Sequence, residues 1–436
     1  MARPQKRVVV TGYGMMTPLG GDVASSFDAA REGKSGIDYI RLFDPAKLPC
    51  QIAGEVDDAW IEAREVPSHR KLLKFATRGV RMMLTATGES ASHARLSEIA
   101  DRSRIGVAIG SHGEHPDIPQ MIQLFRQWRP GGGSPWEGHW DFSELFNSGG
   151  YDFLQFYRRK IDVATSVVAT GFDAQGPTIS VCSACAAGGQ AVGEALRLIR
   201  DGKADAMIAG GCESAISYAG FFGFVLLTAL VEKYETPQMA SRPFDRRRNG
   251  FVMSEGAGSL VLEELEHALA RKAPILGEVL GYGDSADAFR ITDMHPKGAG
   301  AVLAMRGALA DAGISIEDVD YINAHGTSPP KNDLTETTAI KQVFGDRASS
   351  IPISSNKSMV GHTIGAAGAV EAIFSLEGMR RSEILPTINY ENPDPKCDLD
   401  YVPNEMRPSE HRVVLSNSFG FGGQNASLCF GRYEGE

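Results

Sequence analysis

The sequence predicts an α/β fold with buried sheets. Short β-branched runs alternate with helical patterns of ten or more residues, which is the pattern of strands covered on both faces by helices. Hydrophobic residues are 42% and charged residues 22% of the 436, ordinary values for a globular chain. The 49 glycines cluster beside the apolar runs and read as turns that shape a site.

In order along the chain, Arg7–Thr11 reads as a buried strand ending at Gly12 and Gly14. Strands follow at Ile105–Ile109, Ser180–Cys182 and Ala206–Ala209, with a helix over Gln190–Ile199. Val192, Ala195, Leu196 and Ile199 give that helix one apolar face, and Gly202 stops it. Ser259–Leu262 and Ile275–Gly283 are strands, Ala301–Ala312 and Leu334–Val343 helices, and Tyr321–Asn323 and Ile353–Ser355 short strands. Arg412–Leu415 and Ser427–Phe430 are the last strands. The Gly-, Pro- and Trp-rich stretch from Arg126 to Gly150 reads as an irregular excursion. Glu263–Lys272 reads as an exposed helix between an N-terminal half, 1–265, and a C-terminal half, 266–436.

Charge and composition exclude several functions. The 44 Lys+Arg against 54 Asp+Glu give a net charge of −10, and no long basic block offers a phosphate backbone a binding surface. No nucleic-acid partner is expected. No apolar run reaches the ~18 residues of a membrane span, and the N-terminus runs straight into a strand pattern without a signal-peptide core. A cytoplasmic protein with no membrane partner is therefore expected. Six cysteines do not make a disulfide scaffold. The opening Gly12-x-Gly14 lacks the third glycine of a dinucleotide fingerprint, because Thr17 stands there.

The chemistry-bearing segment is Gly176-Pro-Thr-Ile-Ser-Val-Cys182-Ser-Ala-Cys185-Ala-Ala-Gly-Gly189. A β-branched strand runs into small residues and then a helix, which puts Cys185 at or near a helix N-terminus. Unpaired N–H groups and the helix dipole there favour a thiolate, the nucleophilic form. Taken alone, Cys185 also reads as a small buried hydrophobe, or as a redox pair with Cys182. Two histidines lie in glycine-bearing turns, in Asn323-Ala-His325-Gly-Thr-Ser328 and in Lys357-Ser-Met-Val-Gly-His362. Each suits a cleft better than a core, though a structural histidine remains open for both. Asn417-Ser-Phe-Gly-Phe421-Gly-Gly423 reads as a loop whose N–H groups point at a ligand, or as an ordinary glycine turn.

Together these four segments resemble the β-ketoacyl-acyl-carrier-protein synthases of the synthase II type, members of the thiolase-like superfamily. The resemblance runs nearly end to end. It includes Arg7–Gly20, Ser241-Arg-Pro-Phe-Asp245, Gly250-Phe-Val252 and Glu255-Gly-Ala-Gly258. It implies a thiolase-like five-layered αβαβα fold of two similar halves and a homodimer along central strands. The implied activity is decarboxylative condensation of malonyl-acyl carrier protein with an enzyme-bound acyl thioester, needing neither metal nor nicotinamide. The implied roles are Cys185 as acyl-accepting nucleophile, His325 and His362 as the pair that binds the malonyl thioester carbonyl, and Lys357 as the residue that orders the site, with Glu336 as its ion-pair partner. Phe421 is the implied gate, its N–H joining that of Cys185 in an oxyanion hole. Thr292 and Thr327 are implied in the pantetheine tunnel and Gly113, Gly220 and Phe224 in the acyl pocket. Arg70, Lys71 and Lys74 are implied in a basic patch for the acidic carrier protein, with Arg78 one turn further along.

The chain also departs from the family pattern. Pro329-Pro330 removes one tunnel hydroxyl, and Thr228 stands where an arginine often faces the carrier. Gly110-Ser-His-Gly-Glu-His115 replaces a loop that carries a large apolar residue, and the match is poor as far as Arg159. A changed acyl-chain or starter preference is expected. A type II polyketide or specialised-lipid ketosynthase is the alternative enzyme. A non-catalytic chain-length partner fits less well, because such partners usually lack the nucleophile. Degradative thiolase is disfavoured because Gln424 and Asn425 stand where it needs a second cysteine. His112, Glu114, His115 and His139 have no standard metal-site spacing.

Overall fold

The structure is a computed structural model that describes residues 5–64, 70–114, 118, 121–122, 153–290 and 294–435. The Arg126–Gly150 excursion, Thr292, His115 and His139 lie outside the described residues. The main strands are β1 (Val8–Met16), β2 (Ile105–Gly110), β3 (Thr178–Val181), β4 (Ala206–Glu213), β5 (Gly256–Glu264) and β6 (Gly277–Ala286). They continue with β7 (Tyr321–Asn323), β8 (Ile353–Ser354), β9 (Val413–Phe419) and β10 (Gln424–Gly431).

Hydrogen bonding orders them β8-β7-β9-β10-β6-β1-β5-β4-β2-β3. Only two residue pairs, Val9 with Glu278 and Val10 with Gly277, join β1 to β6 at the centre. On either side of that seam the same plan recurs. In β1–β5 the third strand runs parallel to the second and the second to the fourth, while the fourth is antiparallel to the fifth and the fifth to the first. In β6–β10 the third, second, fourth, fifth and first strands pair in the same senses. The two groups of five strands thus share one topology.

Helices α1 (Arg78–His93), α2 (Asp162–Gly171), α3 (Ala187–Arg200), α4 (Tyr218–Leu226), α5 (Ala299–Ala312), α6 (Pro330–Phe344) and α7 (Ala367–Arg381) complete the frame. α1 and α2 cover the outer face of the first five strands, and α5 packs on β6 and β10 with α6 beside it. α3 and α7 pack against each other between the two groups of strands. Five layers result, αβαβα. The central helices meet through glycine: a Cβ at Gly188 would lie 2.9 Å from the Gly365 carbonyl, and one at Gly368 would lie 2.6 Å from the Gly189 nitrogen.

Two local expectations need correction. β1 does not end at Gly12 and Gly14 but runs on to Met16. These glycines admit α1, since a Cβ at Gly12 would sit 2.1 Å from the Ser90 carbonyl and one at Gly14 2.2 Å from that of Ala86. The segment after β5 is helical only over Leu265–Ala270, and it is not simply exposed. Leu265 and Ala268 are buried with Val9, and buried Glu263 accepts from Arg271 and contacts His267. α1, α2, α4 and α7 have no counterpart among the expected helices.

Candidate active site

Cys185 lies on the single 3-10 turn Ala184–Ala186 that opens α3, as the strand-to-helix pattern requires. Ala184 holds φ at +48°, a conformation a residue with a Cβ adopts at a cost, and it turns the sulfur toward the C-terminal half. Cys185 is buried, and its Sγ lies 3.0 Å from Nε2 of His362. The N–H groups of Phe421 and of Cys185 itself bear on that sulfur.

His362 is fixed from three directions. Its N–H donates to the Val252 carbonyl (2.8 Å), its own carbonyl accepts from Ser254 N–H (2.9 Å), and its ring meets Phe251 edge to face. The Ile364 N–H points at Nδ1 from 3.3 Å. A ring nitrogen facing a donor carries no proton of its own, so the neutral imidazole holds its proton on Nε2, toward the sulfur. His325 stands across from it with ring centroids 5.4 Å apart and planes at 84°. Burial and the Lys357 ammonium push both imidazoles well below the usual histidine range, so both are neutral.

The Lys357–Glu336 pairing expected from the resemblance is not formed. Lys357, 1% exposed, donates its Nζ to Oε1 of Glu371 on α7. Glu336 instead accepts from the His325 N–H and the Gly326 N–H, each at 2.8 Å. Its carboxylate is taken up by the two orphan donors of the histidine turn, which the lysine cannot satisfy. Burial pushes both Glu336 and Glu371 up to about 7, and Lys357 opposes this.

The expected thiolate is also corrected. Burial pushes the Cys185 thiol up to about 11, and the Phe421 N–H, Lys357 and its own N–H only partly offset this. Removing a charge from water outweighs the helix start, so the resting group is a neutral thiol beside a neutral imidazole.

Phe421 is half-buried in a ring cluster with Phe224 on α4 (6.3 Å) and Phe251 (6.4 Å). Its loop comes so close to the nucleophile that a Cβ at Gly420 would lie 3.3 Å from the Cys185 nitrogen. Gly220 sits at the start of α4 against the Ala215 carbonyl. Gly113, at φ +83°, borders a separate small cavity with Thr77, Glu114, Ile161, Cys212 and Glu213. Thr327 is buried in the His325 turn. Arg70, Lys71 and Lys74 are exposed around a short 3-10 turn, not on one continuous helix face. Arg78 does not extend that patch, because Glu255, Asp58 and the Val56 carbonyl take its guanidinium.

Among the described residues one group gathers metal-type donors, Cys185, His325 and His362, with ligand atoms within 4.8 Å of one another. The donor set suits zinc. The proton on Nε2 of His362 does not, because that nitrogen is the one facing the sulfur. Sequence reasoning missed Glu371. Its signal was a lone acid in the otherwise apolar run Ala367–Phe374, and a buried charge needs a partner.

Comparison with known proteins shows the family. Residues 5–268 match the model of the beta-ketoacyl synthase N-terminal domain and residues 276–391 that of its C-terminal domain. The chain is 41% identical to 3-oxoacyl-[acyl-carrier-protein] synthase 2 of Coxiella burnetii over 98% of this chain and 99% of the relative. It is 41% identical to the protein of the same name from Synechocystis over 99% of each. Among solved structures it is similar to a β-ketoacyl synthase of Burkholderia phymatum (33% identity, TM-score 0.86, 98% of this chain and 100% of that one). It is also similar to a type II polyketide ketosynthase solved with its acyl-carrier protein and bound to a hexaketide (33%, TM-score 0.85, 98% and 100%). The chain belongs to the β-ketoacyl synthase family and is an acyltransferase of the ketosynthase kind.

Proposed function

We propose that Cys185, His325 and His362 carry out decarboxylative condensation of malonyl-acyl carrier protein with an acyl group held on Cys185, elongating a fatty-acid chain. The observation that carries this reading is the meeting of one buried sulfur with two neutral imidazoles from the other half of the chain. The C-terminal half, 266–436, supplies the histidines and the N-terminal half, 1–265, the nucleophile.

The acyl thioester of the carrier exchanges onto Sγ: a new C–S bond forms, the carrier's C–S bond breaks, and the Cys185 proton leaves with the carrier thiol. The Nε2–H of His362 stabilises the sulfur as it becomes anionic. Malonyl-carrier protein then loses CO₂, and the electron pair of the broken C–C bond passes to the thioester oxygen as an enolate. Donors from His325 and His362 meet that charge where it develops, in a site closed to water. The enolate carbon attacks the acyl carbonyl, whose oxyanion takes the N–H groups of Phe421 and Cys185. Collapse releases the 3-oxoacyl-carrier product and the Cys185 thiolate, which takes up a proton. Lys357, tied to Glu371, holds the imidazoles neutral and therefore able to donate.

Thr327 would line the pantetheine path, and Phe224 and Gly220 the acyl side. Arg70, Lys71 and Lys74, exposed and basic on an acidic protein, suit an acidic carrier. A homodimer belongs to this reading, as does the cytoplasmic location. The edge strand β3, with Thr178 and Ser180 exposed, supports pairing with a second copy. The polyketide reading is favoured by the 33% identity to the hexaketide-bound ketosynthase. Mass spectrometry of the enzyme with a panel of acyl-carrier proteins tests the choice. Mass added at Cys185 by saturated acyl groups, followed by malonyl-dependent elongation, supports fatty-acid elongation. Acylation confined to poly-β-keto chains contradicts it.

A further inference from the structure

Glu213 ends β4 in the first half of the chain, 1% exposed. Its Oε2 accepts from the His112 N–H at 3.0 Å, and the Ser214 and Gly365 N–H groups bear on its carboxyl. One side chain thus joins the ends of β2 and β4 to the turn that follows His362 in the other half. The fit is close: a Cβ at Gly365 would stand 2.8 Å from Oε2 and 3.1 Å from the His112 nitrogen.

That turn is strained. Ile364, a β-branched residue, holds φ at +44°, which costs on the order of 1–2 kcal/mol and persists only where neighbours enforce it. The same residue's N–H faces Nδ1 of His362 and so fixes the proton on Nε2, beside the Cys185 sulfur.

We propose that Glu213 is a positioning residue for the condensation. Its acceptor oxygen anchors Gly365, Gly365 keeps Ile364 in its left-handed conformation, and Ile364 holds the His362 ring in the orientation and tautomer that point Nε2–H at the sulfur. Burial and the neighbouring Glu114 carboxyl push Glu213 up to about 8, so near neutrality it is a neutral acid that glutamine can imitate. The inference rests on the roles proposed for Cys185 and His362.

The test compares Glu213→Leu, which has no acceptor, with Glu213→Gln, which keeps one, in the full-length protein. Two quantities are read: the steady-state constants for malonyl-carrier protein, and the pH profile of Cys185 alkylation by iodoacetamide without substrate. A loose His362 ring no longer stabilises the thiolate, and a misplacement near 1 Å costs about 10²-fold in rate. Glu213→Leu is therefore expected to lower kcat about 10–100-fold, to leave KM within about threefold, and to move the alkylation curve to higher pH. Glu213→Gln restores both. Should Glu213→Leu fail to give a cooperative melt, Glu213→Asp, one methylene too short to reach Gly365, replaces it with the same expected losses. Wild-type kcat and alkylation in the folded Leu or Asp variant overturns the proposal, and so does a Gln variant as impaired as Leu. Because alkylation needs no substrate, a shifted curve in an enzyme that does not condense malonyl-carrier protein keeps the positioning and rejects only the catalytic roles.

Discussion

Ala184 and Ile364 occupy the same place in the two halves of the protein. Each stands immediately after a connection from the third strand of its half, each opens a 3-10 turn, and each has positive φ, 48° and 44°. Ala184 is followed by Cys185 and then α3, Ile364 by Gly365 and then α7. The repeat therefore puts the nucleophile in one half where the other half has a glycine, and the two turns lie against each other at the centre of the molecule.

Packing predicts opposite signs for two glycine substitutions, one at this crossing and one in α4. A Cβ at Gly211 would lie 2.5 Å from the Gly365 carbonyl, all backbone on that side, whereas one at Gly223 in α4 meets nothing within 4 Å. Gly211→Ala should destabilise by about 1–3 kcal/mol. Gly223→Ala should stabilise by about 0.5–1 kcal/mol through helix propensity. Urea denaturation of the two variants measures both.

The buried pair Lys357–Glu371 predicts strong non-additivity. Removing one partner leaves an uncompensated buried charge, so Lys357→Met and Glu371→Leu should each cost about 3–5 kcal/mol. The double variant should cost clearly less than their sum, and a double-mutant cycle on denaturation midpoints reads the difference.

Acid sensitivity follows from the two imidazoles. Their folded values lie well below the ordinary 6.5, so the stability they contribute is present above about pH 6.5 and is lost as pH falls, because only the unfolded chain takes up their protons. Glu336 and Glu371, pushed up to about 7, act in the opposite direction, losing stability as pH rises through that value. Comparing wild type with a His325→Ala, His362→Ala variant cancels the carboxyls. The variant should gain on wild type by about 1.4 kcal/mol per pH unit for each imidazole below pH 6.5.

The thiol pushed up to about 11 predicts slow alkylation of resting Cys185 at neutral pH, with a rate still rising above pH 9. Rapid stopped-flow alkylation at pH 7 with no rise above pH 9 would show the anionic sulfur that its helix-terminal position alone suggests.

Much of this was legible in the residues, and the failures have physical causes. The helix over Gln190–Ile199 was readable because one face is apolar and the other is not. α7 was invisible to the same test because Ala367–Met379 is buried all round and has no polar face to set a period. Gly12 and Gly14 looked like a strand end because a sequence does not distinguish a glycine that turns from one that admits a neighbouring helix. The cysteine and both histidines stand out by their local motifs, and the resemblance assigns their roles. The partner of Lys357 was not, because two acids fall within reach along the chain and only packing decides that Glu336 serves backbone donors while Glu371 takes the charge.

Intact-protein mass spectrometry of the His325→Ala, His362→Ala variant, incubated first with acyl- and then with malonyl-carrier protein, tests the three-residue centre most directly. The account predicts an acyl adduct on Cys185 that persists, with 3-oxoacyl product reduced by more than about 10²-fold. Formation of 3-oxoacyl product at the wild-type rate would contradict it.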